Sequence, residues 1–356
     1  MLGRIGGADV GVIVLGSANH DTSVSMPRIP APGETILATG AASGPGGKGL
    51  NQAVAAARSG ASTTFVGAVG DDEAGERLRG VLIDEGVRAG LGVSERPTGT
   101  AFVMVADDGE NAIVVVAGAN GDGAAITGEA ASALASAGSG DLVLAQLEVP
   151  LDAVLSAFRS AKERGATTVL NAAPSRPLSE DQLALVDVLI VNQHECLDLA
   201  GAPVGGAADA AGAPVVGVTD DAGAPVEGAA VEGVADHAVA DAAPVEGVAD
   251  DAVADAARFL AARVGTVVVT LGAAGALVLS AGEETRIPAF PVTAVDTTAA
   301  GDTFCGALAS RLAAGDALAA AVPFASAAAA LCVQRPGAAA SAPRLDEITE
   351  LLATRA

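Results

Sequence analysis

The stretch VDTTAAGDTFCGAL, residues 295–308, places a tight turn and a carboxylate directly before a run with helical periodicity. The turn A-A-G leads into Asp302, and apolar residues recur behind it. At the start of such a helix, the backbone N–H groups of residues 299–302 would point outward and favour negative charge. Asp302 could there accept the proton of a hydroxyl that attacks phosphorus. The alternative is an aspartate that only caps the helix, which is a common arrangement.

A second stretch, GPGGKGLNQAVAAARSG at residues 44–60, has the composition of a phosphate-binding loop but not its spacing. The P-loop pattern is G-x-x-x-x-G-K-[ST], in which the hydroxyl residue binds Mg²⁺. Ala42 stands where the first glycine is required, five residues before Gly47. Gly49 follows Lys48, so no hydroxyl is available for a metal ion. The spacing argues against a nucleotide P-loop and leaves the ligand of this stretch open.

The composition argues against nucleic acid as a partner. Among 356 residues, 19 are basic and 43 are acidic, which gives a formal charge of -24. Nucleic-acid binding needs clustered Lys and Arg, and the chain has no Trp or Tyr for base stacking. The three cysteines, Cys196, Cys305 and Cys332, show no zinc-site spacing and are typical of buried thiols in a reducing cytoplasm. No apolar run has membrane-spanning length, so we expect a cytoplasmic protein without a membrane partner.

Short apolar runs alternate with helical stretches along most of the chain. Six runs are continuously apolar, as expected for strands that are covered on both faces. They lie at residues 10–16, 63–70, 141–148, 167–174, 187–195 and 266–272. Helices are predicted at residues 51–59, 73–85, 151–164 and 255–264. This order predicts an α/β fold with a doubly wound, mostly parallel central sheet flanked by helices.

Two regions break this order and predict a small antiparallel sheet. Residues 20–43 and 96–118 contain runs of alternating polarity, with a D-D-G-E hairpin turn at residues 107–110. Because these strands do not fit the strand–helix order, we expect them to form a lid on the main domain.

The segment 201–257 differs in composition from the rest of the chain. It contains eleven acidic residues and neither Lys nor Arg, and VEGVADHAVADAA at 231–243 recurs as VEGVADDAVADAA at 245–257. Without large apolar side chains, such a segment cannot offset its ordering entropy. We therefore expect a mobile insertion at 203–248 within a single domain, 1–356. A regulatory or partner-binding acidic arm is the alternative.

Two stretches resemble the signatures of the ribokinase (PfkB) family of sugar kinases. DTTAAGDTF is similar to the C-terminal signature and GGKGLNQAVAAARSGA to the N-terminal signature, and they stand in the expected order. Shorter matching pieces lie between or after them: LGSANHD, GDDEAGE, AGAN, QLEVP, NAAP, VNQHE, VTLGAAG and QRPGAAAS. Several motifs in one order are more specific than any one of them, and they cover the chain apart from about 203–248.

The resemblance implies roles for three groups of residues. The sugar would be bound by Asn19, Asp21, Gly46, Gly47, Lys48, Asn51 and Glu148. The nucleotide would be bound by Asn192, Thr270, Gly272, Gly275 and Ser326. Asp302 would be the catalytic base, with an anion hole formed by Ala299, Ala300 and Gly301.

The resemblance also implies two metal ions. Mg²⁺ would accompany ATP and would be organised by Glu195, partly through water. K⁺ is implied as an activator. Its site would be formed, mostly by backbone carbonyls, from Asp296, Thr298, Cys332, Arg335, Gly337 and Ser341.

Several of these polar residues also have structural alternatives. Asn19 and Asp21 could be turn formers, and Glu148 and Glu195 could be solvated surface residues. Asn19, Glu148 and Glu195, however, all follow predicted strands. Ligands of α/β sheets bind beyond the carboxyl ends of strands, so these residues predict one crevice that Asp302 would share.

The resemblance implies an ATP-dependent sugar kinase that forms dimers through its lid. Within the family, the motifs are most similar to those of members that phosphorylate D-ribose at O5. Other family members, which act on deoxyribose, nucleosides or other sugars, remain alternatives. A non-catalytic sugar-binding protein on the same scaffold is a further alternative, although we would expect it to lack Asp302 or the glycine turn.

Overall fold

The computed structural model describes residues 11–107, 111–201 and 250–354. The insertion predicted at 203–248 and most of the turn predicted at 107–110 lie outside the described residues. The strands are β1 Gly11–Leu15, β2 Asn19–Met26, β3 Gly40–Gly46, β4 Ser62–Gly70, β5 Arg88–Ser94, β6 Thr100–Ala106, β7 Asn111–Val116, β8 Leu142–Ala145, β9 Thr167–Asn171, β10 Val188–Asn192, β11 Thr266–Thr270, β12 Ala276–Ser280 and β13 Glu283–Ile287.

The helices of the described residues alternate with strands through much of the chain, and α8 to α10 follow the last strand. They are α1 Lys48–Arg58, α2 Glu73–Asp84, α3 Gly123–Leu134, α4 Leu151–Glu163, α5 Glu180–Leu183, α6 Gln193–Ala200, α7 Asp250–Ala261, α8 Ala300–Ala313, α9 Leu318–Cys332 and α10 Leu345–Ala353. Over the same ranges, we find no helix whose length and apolar content would let it cross a bilayer.

Nine strands form the large sheet, in the order β13-β12-β11-β10-β9-β8-β1-β4-β5. All neighbouring strands from β11 to β5 are parallel. The antiparallel pairs of this sheet are β11–β12 and β12–β13, at one edge. Helices cover both faces: Ile13 and Leu15 pack in one apolar cluster, and Val12 and Val14 pack in the other. Burial of both faces explains the continuous apolar runs and confirms the predicted mostly parallel, doubly wound sheet.

The four remaining strands form the separate small sheet expected from the sequence, in the order β3-β2-β6-β7. Its two outer pairs, β3–β2 and β6–β7, are antiparallel. The central strands β2 and β6 run parallel to one another, because they enter the sheet from separate points of the large domain.

Several predicted strands were too long: those at 141–148, 167–174 and 187–195 end at Ala145, Asn171 and Asn192. The strand expected at 187–195 ends at Asn192, and α6 begins at the next residue. The Asn192 side chain accepts a hydrogen bond from Glu195 N–H at 2.9 Å, and the Glu195 carboxylate accepts one from Asn192 N–H at 2.8 Å. This reciprocal capping box starts a helix where apolar periodicity alone suggested a continuing strand.

Helices α1 and α8 approach one another at backbone level because Gly306 has no side chain. A Cβ at Gly306 would lie 2.4 Å from the Gln52 carbonyl oxygen and 2.8 Å from Ala56 N, both on α1. Gly306 stands four residues after Asp302, so it lies on the same face of α8. The close contact therefore fixes the position of Asp302 relative to α1.

We expect Gly306→Ala to lower the free energy of unfolding by about 1–3 kcal/mol, because the added methyl must push two packed helices apart. Gly80→Ala is the matched control, since a Cβ at this glycine of α2 would meet nothing within 4 Å. That change should raise the free energy of unfolding by roughly 0.5–1 kcal/mol. Urea unfolding of both variants checks the pair, and equal stability of the two would contradict the packing argument.

Candidate active site

The base predicted at Asp302 lies at the third position of α8 and is buried. Ala299 precedes the helix in the left-handed conformation, with φ 59° and ψ 17°, which is strained for a residue with a Cβ. The Ala300 N–H donates to the Thr297 carbonyl at 3.2 Å. Within the described residues, the N–H groups of Gly301 and Asp302 have no backbone acceptor, so they are the donors that remain for an anion at this helix start.

Two consecutive residues of α1 hold the Asp302 carboxylate. Asn51 Nδ2 donates to Asp302 Oδ2 at 2.9 Å, and Gln52 Nε2 donates to Asp302 Oδ1 at 2.9 Å. Asn51 was predicted as a sugar ligand, and its Oδ1 atom is buried without a partner in the described residues. The contact with Gln52 was not predicted, although this residue lies in the quoted N-terminal signature.

The predicted sugar residues Asn19, Asp21 and Gly46 come together where β2 meets β3. Asn19 pairs with Gly46 across the two strands. A Cβ at Gly46 would lie 1.9 Å from Asp21 Oδ2, so only glycine allows the carboxylate to lie against β3. Asn19 Oδ1 accepts a hydrogen bond from Asn120 Nδ2 at 2.7 Å, which anchors it to the segment that follows β7.

Glu148 meets the start of α1. Its Oε2 atom accepts hydrogen bonds from the Lys48 backbone N–H at 3.1 Å and from the Ser17 hydroxyl at 2.5 Å. Gly47, directly before α1, has φ 89°, a conformation that favours glycine. The Glu148 carboxylate thus lies at the positive end of the helix that also carries Asn51.

The carboxyl of Asp21 is electrostatically unusual. Burial is the largest cause, and it raises the pKa of Asp21 to about 7. The hydrogen bond from Ala101 N–H, at 3.1 Å, opposes this shift, and the negative charge of Glu148 adds to it. Two carboxylates close to one another in a cleft are a typical feature of a binding site for a polar ligand.

A cleft of about 270 Å³ opens beside the start of α8. All five predicted nucleotide residues line it, and so do Ala300 and Gly301, which were predicted to form an anion hole. Its walls include the apolar side chains of Phe290, Val292, Ala329, Ala330 and Val333. The cleft therefore has an apolar part suited to a flat ring and a polar end at the helix start.

Asn192 and Glu195 form the capping box of α6, and Asn192, Gln193 and His194 line the same cleft. Asn192 is therefore both a cap and a cleft residue. One oxygen of the Glu195 carboxylate is used by the capping box. The roles of Gln193 and His194 in lining the cleft were not predicted, because nothing in their spacing distinguishes them from surface residues.

The residues predicted for a monovalent cation lie in two segments that are hydrogen-bonded to one another, the loop before α8 and the stretch from the end of α9 to Ser341. The Val333 carbonyl accepts hydrogen bonds from Val295 N–H at 2.7 Å and Asp296 N–H at 3.1 Å. The Asp296 carboxylate accepts bonds from Thr298 N–H at 2.9 Å and Gly337 N–H at 2.8 Å. The thiol of Cys332 lies 3.0 Å from the Ser341 hydroxyl, and Arg335 is bonded to Glu347 at the edge.

Four buried residues of the site were missed by sequence reasoning, although each lies in a quoted motif. They are Ser17 in LGSANHD, Gln52 in GGKGLNQ, Gln146 in QLEVP and Asn171 in NAAP. Three are amides with apolar neighbours in the sequence, and a buried amide normally requires a hydrogen-bond partner. That requirement was a usable signal, but the identity of the partner depends on the tertiary fold.

Comparisons with known proteins agree with this geometry. A family model described as "pfkB family carbohydrate kinase" matches residues 11–219 and 236–345. The ribokinase of Staphylococcus aureus (strain COL) is 35% identical over 350 residues, which cover 96% of this chain and 99% of that protein. The ribokinase of Haemophilus influenzae is 35% identical over 341 residues, which cover 95% of this chain and 97% of that protein.

Solved structures show the same similarity. A structure of Arabidopsis thaliana ribokinase, complexed with ribose and ATP, matches with a TM-score of 0.74 and 29% sequence identity. The match covers 97% of this chain and 99% of that one. The large sheet and the small sheet are therefore both part of a fold found in ribokinases.

The raised pKa of Asp21, about 7 against an ordinary value of 3.8, makes stability depend on pH. Between these values the unfolded chain has released this proton while the folded protein retains it. Forcing ionisation in the folded protein costs free energy, so the contribution of Asp21 to stability falls as pH rises from about 4 to about 7. Relative to wild type, we expect Asp21→Asn to gain ~2–4 kcal/mol in the free energy of unfolding over this range. Urea titrations at a series of pH values test this, and a constant difference would contradict it.

Proposed function

The chain belongs to the pfkB family of carbohydrate kinases, and we propose that it transfers the γ-phosphoryl group of ATP to O5 of D-ribose to give D-ribose 5-phosphate. The observation that carries this proposal is the position of Asp302. It is hydrogen-bonded to Asn51 of the candidate sugar site, and the turn before it lines the candidate nucleotide cleft. A base between two such sites is what phosphoryl transfer to a hydroxyl requires.

The proposed sugar site lies at the carboxyl ends of β1 and β8. Asn19, Asp21 and Glu148 supply side-chain oxygen acceptors for sugar hydroxyls, and the Gly46–Lys48 segment brings the backbone close. Hydroxyls that donate to Asp21 would stabilise its ionised form. Asn51 Oδ1 is buried and has no hydrogen-bond partner within the described residues. This oxygen could accept a hydrogen bond from one further sugar hydroxyl.

In the proposed reaction, the primary hydroxyl of the sugar faces Asp302 and the γ-phosphate faces the start of α8. The oxygen O5 attacks phosphorus, its proton passes to the Asp302 carboxylate, and the bond between the β,γ-bridging oxygen and the γ-phosphorus breaks to release ADP. The N–H groups of Gly301 and Asp302 stabilise the charge on the transferred group. Closure of the lid, β2, β3, β6 and β7, excludes water as a competing acceptor.

Kinases use the nucleotide with a divalent metal ion, and we propose Mg²⁺. Mg²⁺ is usually held by phosphates, by water and by one or two carboxylates. The described residues contain no cluster of three or more His, Cys, Asp or Glu side chains that could hold a metal ion. This fits an ion that arrives with the nucleotide and that Glu195 helps to hold through water. When bound, the ion would neutralise charge on the phosphates.

We propose K⁺ as the activating cation at the two segments that contain Asp296 and Cys332. Their mutual hydrogen bonds hold backbone groups of both segments beside the start of α8, which suits a cation bound mainly by carbonyl oxygens. Bound there, K⁺ would stabilise the turn that carries the anion hole.

We further propose one kinase domain with the small sheet as its lid, located in the cytoplasm. The buried state of Cys196, Cys305 and Cys332, none of which forms a disulfide, supports a reducing compartment. Cell fractionation with an antibody to the chain tests the location.

A non-catalytic sugar-binding protein is not favoured. Asp302 and the glycine turn are both in place, and the curated relatives of the chain are named ribokinase. A kinase for a different acceptor remains the competing reading of the same geometry, and the acceptor assay below distinguishes it.

We expect purified protein with MgATP to show its highest kcat/KM on D-ribose among ribose, deoxyribose, fructose and nucleosides. Replacing Na⁺ with K⁺ should raise the rate. Coupled ADP release measures both effects, and NMR of the product should show phosphate on O5. Strong turnover of another acceptor without turnover of ribose would overturn the proposed substrate.

Asp302→Asn is the control for that assay. It keeps the shape of the side chain but removes the base, so kcat should fall by about 10²–10⁴-fold. Ribose binding by calorimetry should change little, because the sugar groups remain. A variant that retains most of its turnover would contradict the role of Asp302.

We propose that the lid carries the interface of a homodimer. Phe102 of β6 pairs with Val114 of β7, and Val116 lies two residues further on the same face. All three are about half exposed, which leaves an apolar strip on the sheet. Such strips mark protein contacts.

We expect sedimentation to show a dimer that Phe102→Lys shifts toward monomer by at least ~10-fold in dissociation constant, since a buried unpaired charge opposes association. Val93→Lys is the control, because Val93 is exposed on β5, the edge strand of the large sheet, outside the lid. A monomeric wild type at micromolar concentration would contradict the proposal.

A further inference from the structure

A chain of side-chain amides lies behind the Asp302 carboxylate. Gln52 Nε2 is 2.9 Å from Asp302 Oδ1 and 3.0 Å from Asn171 Oδ1, so it donates to both. Gln146 Nε2 donates in turn to Gln52 Oε1 at 2.5 Å. Gln52 and Gln146 have no exposed surface, so neither side chain can contact a substrate.

The direction of these hydrogen bonds follows from the chemistry of the groups. A carboxylate only accepts hydrogen bonds when ionised, so Gln52 must turn its NH₂ group toward Asp302. If the Gln52 amide were reversed, its oxygen would face the carboxylate oxygen and the bond from Gln146 would be lost. The hydrogen bond from Gln146 therefore adds to the carboxylate in favouring the orientation in which the Gln52 NH₂ group faces the base.

This arrangement leaves one buried polar atom without a hydrogen bond, which indicates that the amides do more than fill space in the core. Gln146 Oε1 is buried without a hydrogen-bond partner in the described residues. A Cβ at Gly16 would lie 1.9 Å from this oxygen, so the glycine leaves the space that the amide occupies. Buried amides with one unsatisfied atom are unfavourable in an apolar core, and such exceptions concentrate at functional sites.

The two donors on Asp302 act on different atoms of the carboxylate. Asn51 binds Oδ2 and Gln52 binds Oδ1, and both donors come from consecutive residues of α1. One hydrogen bond on each oxygen fixes the plane of the carboxylate about its χ2 torsion. A base fixed in this way keeps a lone pair aimed at one point, which is the condition for proton transfer in a positioned complex.

We propose that Gln52, oriented by Gln146, is a positioning residue for Asp302. It acts through the base and does not contact the sugar, the nucleotide or the transferred phosphoryl group. This inference rests on the proposed kinase function, because it assigns Gln52 to the step in which Asp302 accepts the proton.

Gln52→Met tests the inference, since methionine keeps the length and bulk of the side chain but removes both N–H donors. We expect kcat to fall by about 10–100-fold, because the carboxylate is no longer held in one plane. KM for both substrates should stay within roughly 3-fold, since no binding group has been removed. A kcat within twofold of wild type, or a loss confined to KM, would overturn the proposal.

Thr168→Val separates positioning from a general loss of stability. Thr168 is buried in β9 and bonds to the Leu185 carbonyl at 2.6 Å, away from α1 and α8. Its loss should lower the unfolding temperature while kcat stays at the wild-type value. If Gln52→Met, like Thr168→Val, lowered the unfolding temperature without lowering kcat, Gln52 would have a structural role only.

A double-mutant comparison shows whether Gln52 acts through Asp302. In the Asp302→Asn background there is no base to position, so adding Gln52→Met should change the residual rate by less than about 2-fold. An additional loss equal to that in the wild-type background would show that Gln52 acts elsewhere, and the proposal would fail.

Gln146→Met covers the case in which Gln52→Met does not fold, because it leaves Gln52 in place and frees only its Oε1. We expect kcat to fall by about 3–10-fold at unchanged KM, since the Gln52 amide loses the hydrogen bond to its oxygen and is held less firmly against Asp302. No change in kcat would overturn the orientation argument.

The acceptor assay on wild type keeps this test separate from the proposed function. If wild type phosphorylates another sugar better than ribose, the variants are compared on that sugar. If wild type shows no phosphoryl transfer to any acceptor, the kinase proposal fails, and the Gln52 inference fails with it. If wild type shows normal turnover and both glutamine variants have the wild-type kcat, the Gln52 inference fails while the kinase proposal stands.

Discussion

The structure depends on one buried contact, in which the carboxylate of Asp302 on α8 meets the amides of Asn51 and Gln52 on α1. A buried carboxylate is strongly unfavourable unless its oxygens are hydrogen-bonded. The backbone approach at Gly306 brings the two helices close enough for these short amide side chains to reach it. Packing and chemistry are therefore coupled here, because a change that separates the helices also leaves the carboxylate without donors.

The positive N-termini of two helices supply the other electrostatic interactions of the site. Helix α1 begins at Lys48 with its positive end against the Glu148 carboxylate, and α8 begins beside the cleft with the N–H groups of Gly301 and Asp302 directed outward. Each helix follows a residue with positive φ, which is Gly47 before α1 and Ala299 before α8. The proposed sugar and nucleotide sites would therefore be separate and still meet at Asp302, since each uses the N-terminus of a different helix.

Much of this could be predicted from the sequence, for physical reasons. Strands covered on both faces must be apolar throughout, so β1, β4 and β11 were recognisable from their residues alone. The predicted sugar and nucleotide residues lie in short motifs next to strand ends, where chain order already implies proximity. The start of α6 was missed because a capping box, set by Asn192 and Glu195, overrides an apolar pattern. Gln52, Gln146 and Asn171 were missed because their hydrogen bonds join residues distant in sequence, and only the tertiary fold pairs them.

The buried atoms without hydrogen-bond partners support the same conclusion as the hydrogen bonds of the site. In the described residues, Asn51 Oδ1 and Gln146 Oε1 are the buried side-chain oxygens without partners, and both belong to amides of the network around Asp302. Each such atom costs roughly 1–3 kcal/mol relative to a satisfied one, so the core would be more stable with apolar residues there. Both oxygen atoms are buried, but the Asn51 residue is 7% exposed and Gln146 is not exposed at all. In the proposed function, a sugar hydroxyl that binds at Asn51 would remove the cost there. The cost at Gln146 would persist, and in the proposed positioning role it is offset by the hydrogen bond that the other end of the amide makes to Gln52.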